Sequence, residues 1–251
     1  MGDFFSNVYI YGDSDVARDR IEDIKLLTKA IEVHELDEGK MTLHVSQDGL
    51  ALEKDGLVLK GDFLSLKKRF NRNNLLGEMI VKAVKIKGSL ETLTVVDATA
   101  GMGEDSMLLA AAGFNVHVYE YDPIIAALLK DSIARACLDE QIGPYAKRMT
   151  FHHEDSIKAL KCLDYEPDVV LLDPMFPERQ KSGLIKKKFQ LIQQLEAPCV
   201  LEESLLEAAI MANPKKIVIK RPLKGPYLAG RKPDYSINGK AIRYDCILLP
   251  H

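Results

Sequence analysis

The pattern of apolar and polar positions changes near residue 70. Four short apolar runs before that point are typical of strands: VYIY (8–11), MTLHV (41–45), LALEK (50–54) and LVLK (57–60). Gln-Asp-Gly and Lys-Asp-Gly separate the last three runs and indicate tight turns. Ser14 is placed to cap a helix that runs to about Ala30. This part of the chain therefore predicts a small α+β lobe.

From Leu75 onward, helix and strand patterns alternate. Helices are predicted over 75–86, 104–112 and 123–138, and strands over LTVVD (93–97), NVHVYE (115–120), MTFHHE (149–154), DVVLLD (168–173) and KIVIKR (216–221). The last two strands are almost wholly apolar, which is typical of parallel strands that are buried on both faces. Asn238-Gly239 predicts a hairpin near the C-terminus, with its two strands antiparallel.

These elements predict an α/β fold. We expect a doubly wound, mainly parallel, Rossmann-like sheet with an antiparallel C-terminal strand, preceded by the small α+β lobe. The predicted domains are residues 1–70 for the lobe and residues 71–251 for the main domain. The basic stretch LKKRFNRNN (66–74) lies at the boundary between them.

Composition narrows the class of protein. The 251 residues are 47% hydrophobic, enough for a large core, and no apolar run approaches the length of about 18–20 residues that crosses a bilayer. The N-terminus does not have the pattern of a secretory signal, and the four cysteines lack metal-ligand spacing, so we expect a cytoplasmic protein without a metal site. The net charge of −3 means that any binding of nucleic acid must depend on local basic patches.

A glycine loop follows the first strand of the main domain. It reads DATAGMGED (97–105), and Asp97, Gly101 and Gly103 lie where the backbone can approach a ligand closely. The third glycine of the dinucleotide fingerprint is absent, and Glu104 and Asp105 would repel a pyrophosphate. A cationic ligand would not be repelled, which favours S-adenosylmethionine over NAD. The alternative is that the loop is only a tight connection.

Further polar residues follow the next two strands. Glu120 ends the second strand, where a carboxylate can accept hydrogen bonds from both hydroxyls of a ribose. Asp155 and Ser156 follow the third strand and can reach the edge of an adenine, although either could simply cap the next helix. Because these strand ends meet at one edge of the sheet, the residues together predict a nucleoside pocket.

The turn DPMFP (173–177) follows the most apolar strand and leads to the same edge. Pro174 forces a sharp exit from the strand, so that the Asp173 carboxylate is directed toward the cleft. Phe176 offers a flat face on which a base can stack. Asp173, Pro174 and Phe176 are therefore the predicted catalytic residues for methylation of an exocyclic amine.

Four segments of the chain resemble one known family. DATAGMGEDSMLLAAAG, VYEYDPIIAALLKDSIARA, DPMFPERQKSGLIKKKFQLIQ and KIVIKRP are similar to the ribosomal small-subunit methyltransferase J family (RsmJ). The resemblance implies an S-adenosylmethionine-dependent enzyme that methylates the exocyclic N2 of one guanosine in 16S ribosomal RNA, guanine 1516. It also implies contacts with the cofactor at Glu104, Asp105, Glu120, Tyr121, Asp155, Ser156 and Asp173.

Basic residues in the C-terminal half provide candidate contacts with RNA phosphates, in 16S ribosomal RNA or in the small ribosomal subunit. They are Arg179, Lys181, Lys186, Lys187, Lys188, Lys220 and Arg221, with Lys224, Arg231 and Lys232 in the following loop. Three alternatives remain open from the residues alone: methylation of another RNA or DNA base amine, a non-catalytic RNA-binding module, and an NAD(P)-dependent oxidoreductase.

Overall fold

The computed structural model describes residues 7–174 and 201–250. These residues form two compact units. One contains residues 7–62 and 122–135, and the other contains residues 63–121, 136–174 and 201–250. The domain boundary near residue 70 stays a prediction.

The first unit contains a mixed five-stranded sheet in the described part of the chain, with the strand order β2-β1-β3-β4-β5. Its elements are β1 (Tyr9–Gly12), α1 (Arg18–Thr28), β2 (Ile31–Glu32), β3 (Thr42–Ser46), β4 (Gly49–Lys54) and β5 (Leu57–Leu59). Asp55 and Gly56, with φ of 51° and 71°, form the two-residue turn between β4 and β5 that the sequence predicts. The predicted cap at Ser14 is wrong, because α1 begins at Arg18 after a turn in which the Val16 N–H donates to the Asp13 carbonyl.

The second unit contains the main sheet. Its helices and strands begin with α2 (Arg72–Gly77), α3 (Met79–Val84), β6 (Thr94–Asp97), α4 (Glu104–Ala111) and β7 (Asn115–Glu120). The helix α5 (Pro123–Leu138), of which residues 123–135 belong to the first unit, is followed in the second unit by α6 (Gly143–Ala146), β8 (Met149–His153), α7 (Ser156–Ala159) and β9 (Val169–Leu172). The chain is described again from α8 (Glu202–Met211) through β10 (Lys216–Pro222), β11 (Tyr235–Asn238) and β12 (Ile242–Leu248).

The seven strands β6–β12 of the described residues are ordered β8-β7-β6-β9-β10-β12-β11. β8, β7, β6, β9 and β10 are parallel, whereas β12 is antiparallel to both of its neighbours. This confirms the predicted fold class, including the antiparallel C-terminal strand. All four residues of β9 are buried, in agreement with its apolar sequence.

The helix predicted over 75–86 is divided in two. Glu78 interrupts it with a ψ of 133°, and its carboxylate accepts two hydrogen bonds of 2.8 Å from the Arg69 guanidinium. The preceding Gly77 is a weak helix former, which is consistent with the end of α2 there. The sequence analysis also missed β2 and α6, which are only two and four residues long, and the ten-residue helix α8.

No helix in the described ranges is both long enough and apolar enough to cross a membrane.

Candidate active site

The candidate site lies at the carboxyl ends of the parallel strands. The chain proceeds from β6 outward through β7 and β8, and then returns to place β9 and β10 on the other side of β6. The strand order therefore reverses between β6 and β9. In open α/β sheets, ligands bind outside the carboxyl ends of the strands at this kind of switch point.

The glycine loop joins the end of β6 to α4 and bends over the end of β7. Gly101 and Gly103 have φ of 54° and 76°, which a residue with a side chain rarely adopts. The Gly101 N–H donates to a carboxylate oxygen of Glu120 at 2.9 Å, and the Ala100 N–H donates to the Tyr119 carbonyl at 3.1 Å. Two sequence-predicted cofactor residues, Gly101 and Glu120, are thus in direct contact.

Asp97 lies beneath this loop and is only 2% exposed. Its carboxylate accepts hydrogen bonds from the Ser106 hydroxyl and from the Thr99 N–H. Burial raises the pKa of Asp97 to about 7, although these two hydrogen bonds oppose the rise. The buried carboxylate therefore supports the loop from below, and its contact with a cofactor stays a prediction.

A lysine joins two of the predicted acidic residues. The Lys220 ammonium, near the end of β10, lies 2.8 Å from a carboxylate oxygen of Asp105 and 2.8 Å from a carboxylate oxygen of Asp173. The Asp173 N–H donates to the Thr99 hydroxyl at 2.6 Å. The sequence analysis assigned Lys220 to RNA phosphates, but its side chain is 25% exposed and forms salt bridges with both carboxylates.

The three charges of this Asp105–Lys220–Asp173 cluster influence one another. Burial raises the pKa of Asp173, and Lys220 opposes that rise. Burial alone would lower the pKa of Lys220, but the two carboxylates outweigh it and hold the pKa above its ordinary value. Tyr244, which pairs with Lys220 in the β10–β12 register, is 3% exposed, and its pKa is raised by burial and by the Asp105 charge.

A shallow cavity of about 340 Å³ lies beyond the ends of β7 and β8. It is lined by Tyr121, His153, Glu154, Asp155 and Lys158. The Tyr121 side chain is 71% exposed. Asp155 lines the cavity and also caps α7, since its carboxylate accepts the Ile157 N–H at 3.1 Å. Both interpretations of Asp155 from the sequence are therefore compatible with the structure. Ser156 is the first residue of α7.

His153 and Tyr244 were not among the sequence-predicted site residues. His153 lines the cavity, with a ring nitrogen 3.3 Å from the Tyr121 carbonyl oxygen. Tyr244 comes from β12, and only the strand pairing brings it beside Lys220. No local motif identifies either residue. The place of His153 at the end of β8 was the one signal for it, and Tyr244 lies inside β12.

The remaining predicted site residues are buried, are exposed on α4, or lie outside the described residues. Arg221 is 1% exposed, and its guanidinium donates to the Pro226 carbonyl at 2.8 Å and to Glu202 at 3.2 Å. The prediction that Arg221 contacts phosphate is wrong for this buried side chain. Pro174 is buried and Glu104 is exposed in the first turn of α4. Phe176, Arg179, Lys181, Lys186, Lys187 and Lys188 lie outside the described residues.

The residues that are brought together fit a nucleoside with a cationic tail. Glu120 offers a carboxylate at the end of β7. The next residue, Tyr121, has an exposed ring and lines the cavity. Asp105 in the first turn of α4 and Asp173 after β9 carry negative charge. Among the residues with described positions, no three His, Cys, Asp or Glu side chains are grouped to hold a metal ion.

Comparisons with known proteins agree with this geometry. The family model SAM_MT, which describes SAM-dependent methyltransferases, matches residues 26–249. The crystal structure of a SAM-dependent methyltransferase from Neisseria gonorrhoeae is similar over 97% of this chain and 96% of that chain, with a TM-score of 0.77 and 30% identity.

Two curated relatives carry the name ribosomal RNA small subunit methyltransferase J. The protein from Aeromonas hydrophila is 42% identical over 69% of this chain and 70% of its own length. The protein from Pseudomonas aeruginosa is 43% identical over 67% of this chain and 65% of its own length. The matched region thus spans about two thirds of each relative.

Proposed function

Because this chain belongs to the family of SAM-dependent methyltransferases described by SAM_MT, we propose that it methylates the exocyclic N2 of a specific guanosine in 16S ribosomal RNA, guanine 1516. The resemblance to the methyltransferase J family that the sequence indicates is confirmed by its curated relatives. Their name supports ribosomal RNA of the small subunit as the substrate. The choice of base, atom and position is part of the proposal.

S-adenosylmethionine is the cofactor of this family, as the sequence predicted. When it is bound, it supplies an electrophilic methyl group. In this proposal Glu120 accepts the ribose hydroxyls, and Tyr121 and Asp155 flank the base. The contact of Glu120 with the Gly101 N–H and the cavity that Tyr121 and Asp155 line support these roles. These residues bind and orient the nucleoside, and the proton that N2 loses on methylation passes late to solvent.

The observation that carries the proposal is the position of the Asp173 carboxylate. It lies at the switch point of the sheet, with its backbone held by Thr99 and its side chain held by Lys220. The lone pair of guanine N2 is delocalised into the ring, so the free amine is a poor nucleophile. A carboxylate that accepts an N2–H hydrogen bond orients the amine and favours the lone pair at nitrogen. Positioning of this kind can contribute several kcal/mol to catalysis.

Asp173 is the stronger acceptor for that hydrogen bond when it is ionised. Burial raises its pKa, whereas the Lys220 ammonium at 2.8 Å favours the charged form. Lys220 therefore acts as a positioning residue that favours the ionised form of Asp173, the stronger acceptor. Pro174 stiffens the exit from β9, and Phe176 is proposed to stack on the target base.

Contacts with RNA phosphates are proposed for Arg179, Lys181, Lys186, Lys187 and Lys188. Lys220 is assigned to Asp173 instead, and Arg221 is left out because its guanidinium is buried. A base that is methylated on its N2 must be accessible, so the target guanosine is expected to be unpaired or flipped out of its stack.

Labelled methyl transfer tests the proposal. Small subunits from cells that lack this gene are incubated with the protein and labelled cofactor, and the RNA is digested for nucleoside analysis. We expect N2-methylguanosine at one position. Asp173→Ala should still bind the RNA, with turnover reduced by on the order of a hundredfold because the amine is no longer positioned. Label in N6-methyladenosine or 5-methylcytidine would contradict the choice of base, and no label in RNA would indicate a binding module.

A further inference from the structure

The loop between β10 and β11 is basic. Residues 223–234 read LKGPYLAGRKPD, with three cations and one acidic residue, Asp234, whose carboxylate accepts the Leu248 N–H at 2.7 Å. Lys224, Arg231 and Lys232 belong to this loop, and the ring of Tyr227 is partly exposed. The loop begins at Leu223, three residues after Lys220, so it leaves the sheet at the edge that carries the Asp105–Lys220–Asp173 cluster.

Two buried arginines hold the backbone of this loop. One nitrogen of Arg243 lies 2.9, 2.8 and 3.0 Å from the carbonyls of Pro222, Leu223 and Gly225. Arg221 donates to the next carbonyl, that of Pro226, at 2.8 Å. Four successive or near-successive carbonyls are thus bonded to guanidinium groups. Burial of two cations is costly unless their hydrogen bonds are satisfied, so the loop carbonyls and the arginines stabilise one another in a single conformation.

Tyr227 lies above this scaffold. The Arg243 guanidinium carbon is 5.1 Å from the centre of the Tyr227 ring, a cation–π contact that orients the ring from the protein side. The Tyr227 side chain is still 39% exposed. An aromatic side chain that is held in place and partly exposed can stack on a base with little loss of conformational entropy on binding.

We propose that Lys224, Tyr227 and Arg231 form a docking platform for a single-stranded segment of the substrate RNA next to the target guanosine. Tyr227 stacks on an unpaired base, and the cations contact the flanking phosphates. The proposal rests on the proposed RNA substrate. Its partner follows from the combination of an exposed ring with a net positive charge, because single-stranded RNA is recognised by stacking on aromatic rings and by phosphate contacts. The two carboxylates at this loop have partners within the protein: Asp234 accepts the Leu248 N–H, and Glu202 accepts the Ala229 N–H and a hydrogen bond from Arg221.

Substitution of the ring tests the stacking part. Methyl transfer to small subunits is measured for Tyr227→Ala and Tyr227→Phe. The alanine variant should raise KM for the RNA about tenfold, the scale of one base–aromatic stack, and Phe should restore it. The kcat and the affinity for S-adenosylhomocysteine should not change, and unchanged thermal unfolding would show that the loop scaffold is intact.

Tyr235→Ala is the matched control. Tyr235 is 40% exposed and also contacts a cation, with the Lys216 ammonium 5.9 Å from its ring centre, but Lys216 begins β10 at the opposite edge of the sheet. Its removal should leave KM for the RNA unchanged. Equal effects of the Tyr227 and Tyr235 variants would overturn the proposal, as would a Phe variant that is as defective as the Ala variant.

The phosphate contacts have a separate readout. Lys224→Gln combined with Arg231→Gln should reduce the log–log dependence of RNA binding on salt by about 0.7 for each phosphate that is no longer neutralised. An unchanged slope would show that Lys224 and Arg231 do not contact RNA phosphates. If the wild-type protein methylates ribosomal RNA but Tyr227→Ala has a normal KM, only the platform fails. If the wild-type protein transfers no label to RNA, the proposed function fails first.

Discussion

Replacement of Lys220 by methionine should make the reaction sensitive to acid. The substitution retains an unbranched chain of similar length but removes the ammonium that lies 2.8 Å from both Asp105 and Asp173. Burial then raises the pKa of Asp173 without opposition from Lys220, and the negative charge of Asp105 adds to the effect. As the pH falls, Asp173 in this variant is protonated at a higher pH than in the wild type and becomes a weaker acceptor for the N2–H hydrogen bond.

The size of the effect follows from the salt bridge between Lys220 and Asp173. A hydrogen bond to a charged group contributes about 1.5–3 kcal/mol. The Asp173 side chain is 40% exposed, so solvent screening places this salt bridge at the lower end of that range. Since about 1.4 kcal/mol corresponds to one pH unit, the acidic limb of the kcat profile should move upward by about one pH unit. On that limb, kcat should fall about tenfold.

The assay is kcat for labelled methyl transfer at saturating RNA and cofactor, measured across the pH range. Lys220→Arg keeps a cation and should restore most of the wild-type profile. Lys215→Met is the matched control, because Lys215 forms a 2.7 Å salt bridge with Asp168 at the opposite ends of the same two strands. It should leave the profile unchanged.

Two results would refute this reasoning. If Lys220→Met retains the wild-type acidic limb, Lys220 does not control the protonation of Asp173. If Lys215→Met shifts the limb as much as Lys220→Met does, the effect reflects general stability or net charge. A lower kcat with the same pH dependence would assign Lys220 to geometry alone.

Three further predictions concern the cofactor, the stability and the RNA. Glu120→Gln removes the charge but can still accept the Gly101 N–H, so it should weaken S-adenosylhomocysteine binding about tenfold. Calorimetry measures this affinity, and an unchanged value would limit Glu120 to anchoring the loop. Burial raises the pKa of Asp97 to about 7, so the wild type should lose stability as the pH rises from about 4 to about 7, by at most about 1.4 kcal/mol per pH unit. In urea unfolding, the free energy of unfolding of Asp97→Asn should not show this loss between about pH 4 and pH 7. If the wild type and the variant have the same dependence on pH, the prediction is contradicted. Replacement of Lys186 and Lys187 by Gln should lower the salt dependence of RNA binding by about 0.7 for each phosphate that they neutralise, with cofactor affinity as the control.

The elements of the main sheet could be predicted because their signals are local. The apolar run of β9, the proline that begins α5 and the glycines after β6 each specify backbone geometry within a few residues. The same local signals place Gly101, Glu120 and Asp173 at strand ends. Because parallel strands bring their carboxyl ends to one edge, the sequence by itself determined the fold class and the general location of the site.

Only the tertiary structure decided what the charged residues do. Lys220 and Arg221 are neighbours, but successive side chains on a strand point to opposite faces, so one forms salt bridges in the site while the other is buried against the following loop. The sequence analysis treated both as exposed cations. It also treated Asp105 as a free negative charge, whereas Asp105 forms a salt bridge with Lys220, 115 residues away. Pairings at such separations depend on the strand order β6-β9-β10, which no local pattern specifies.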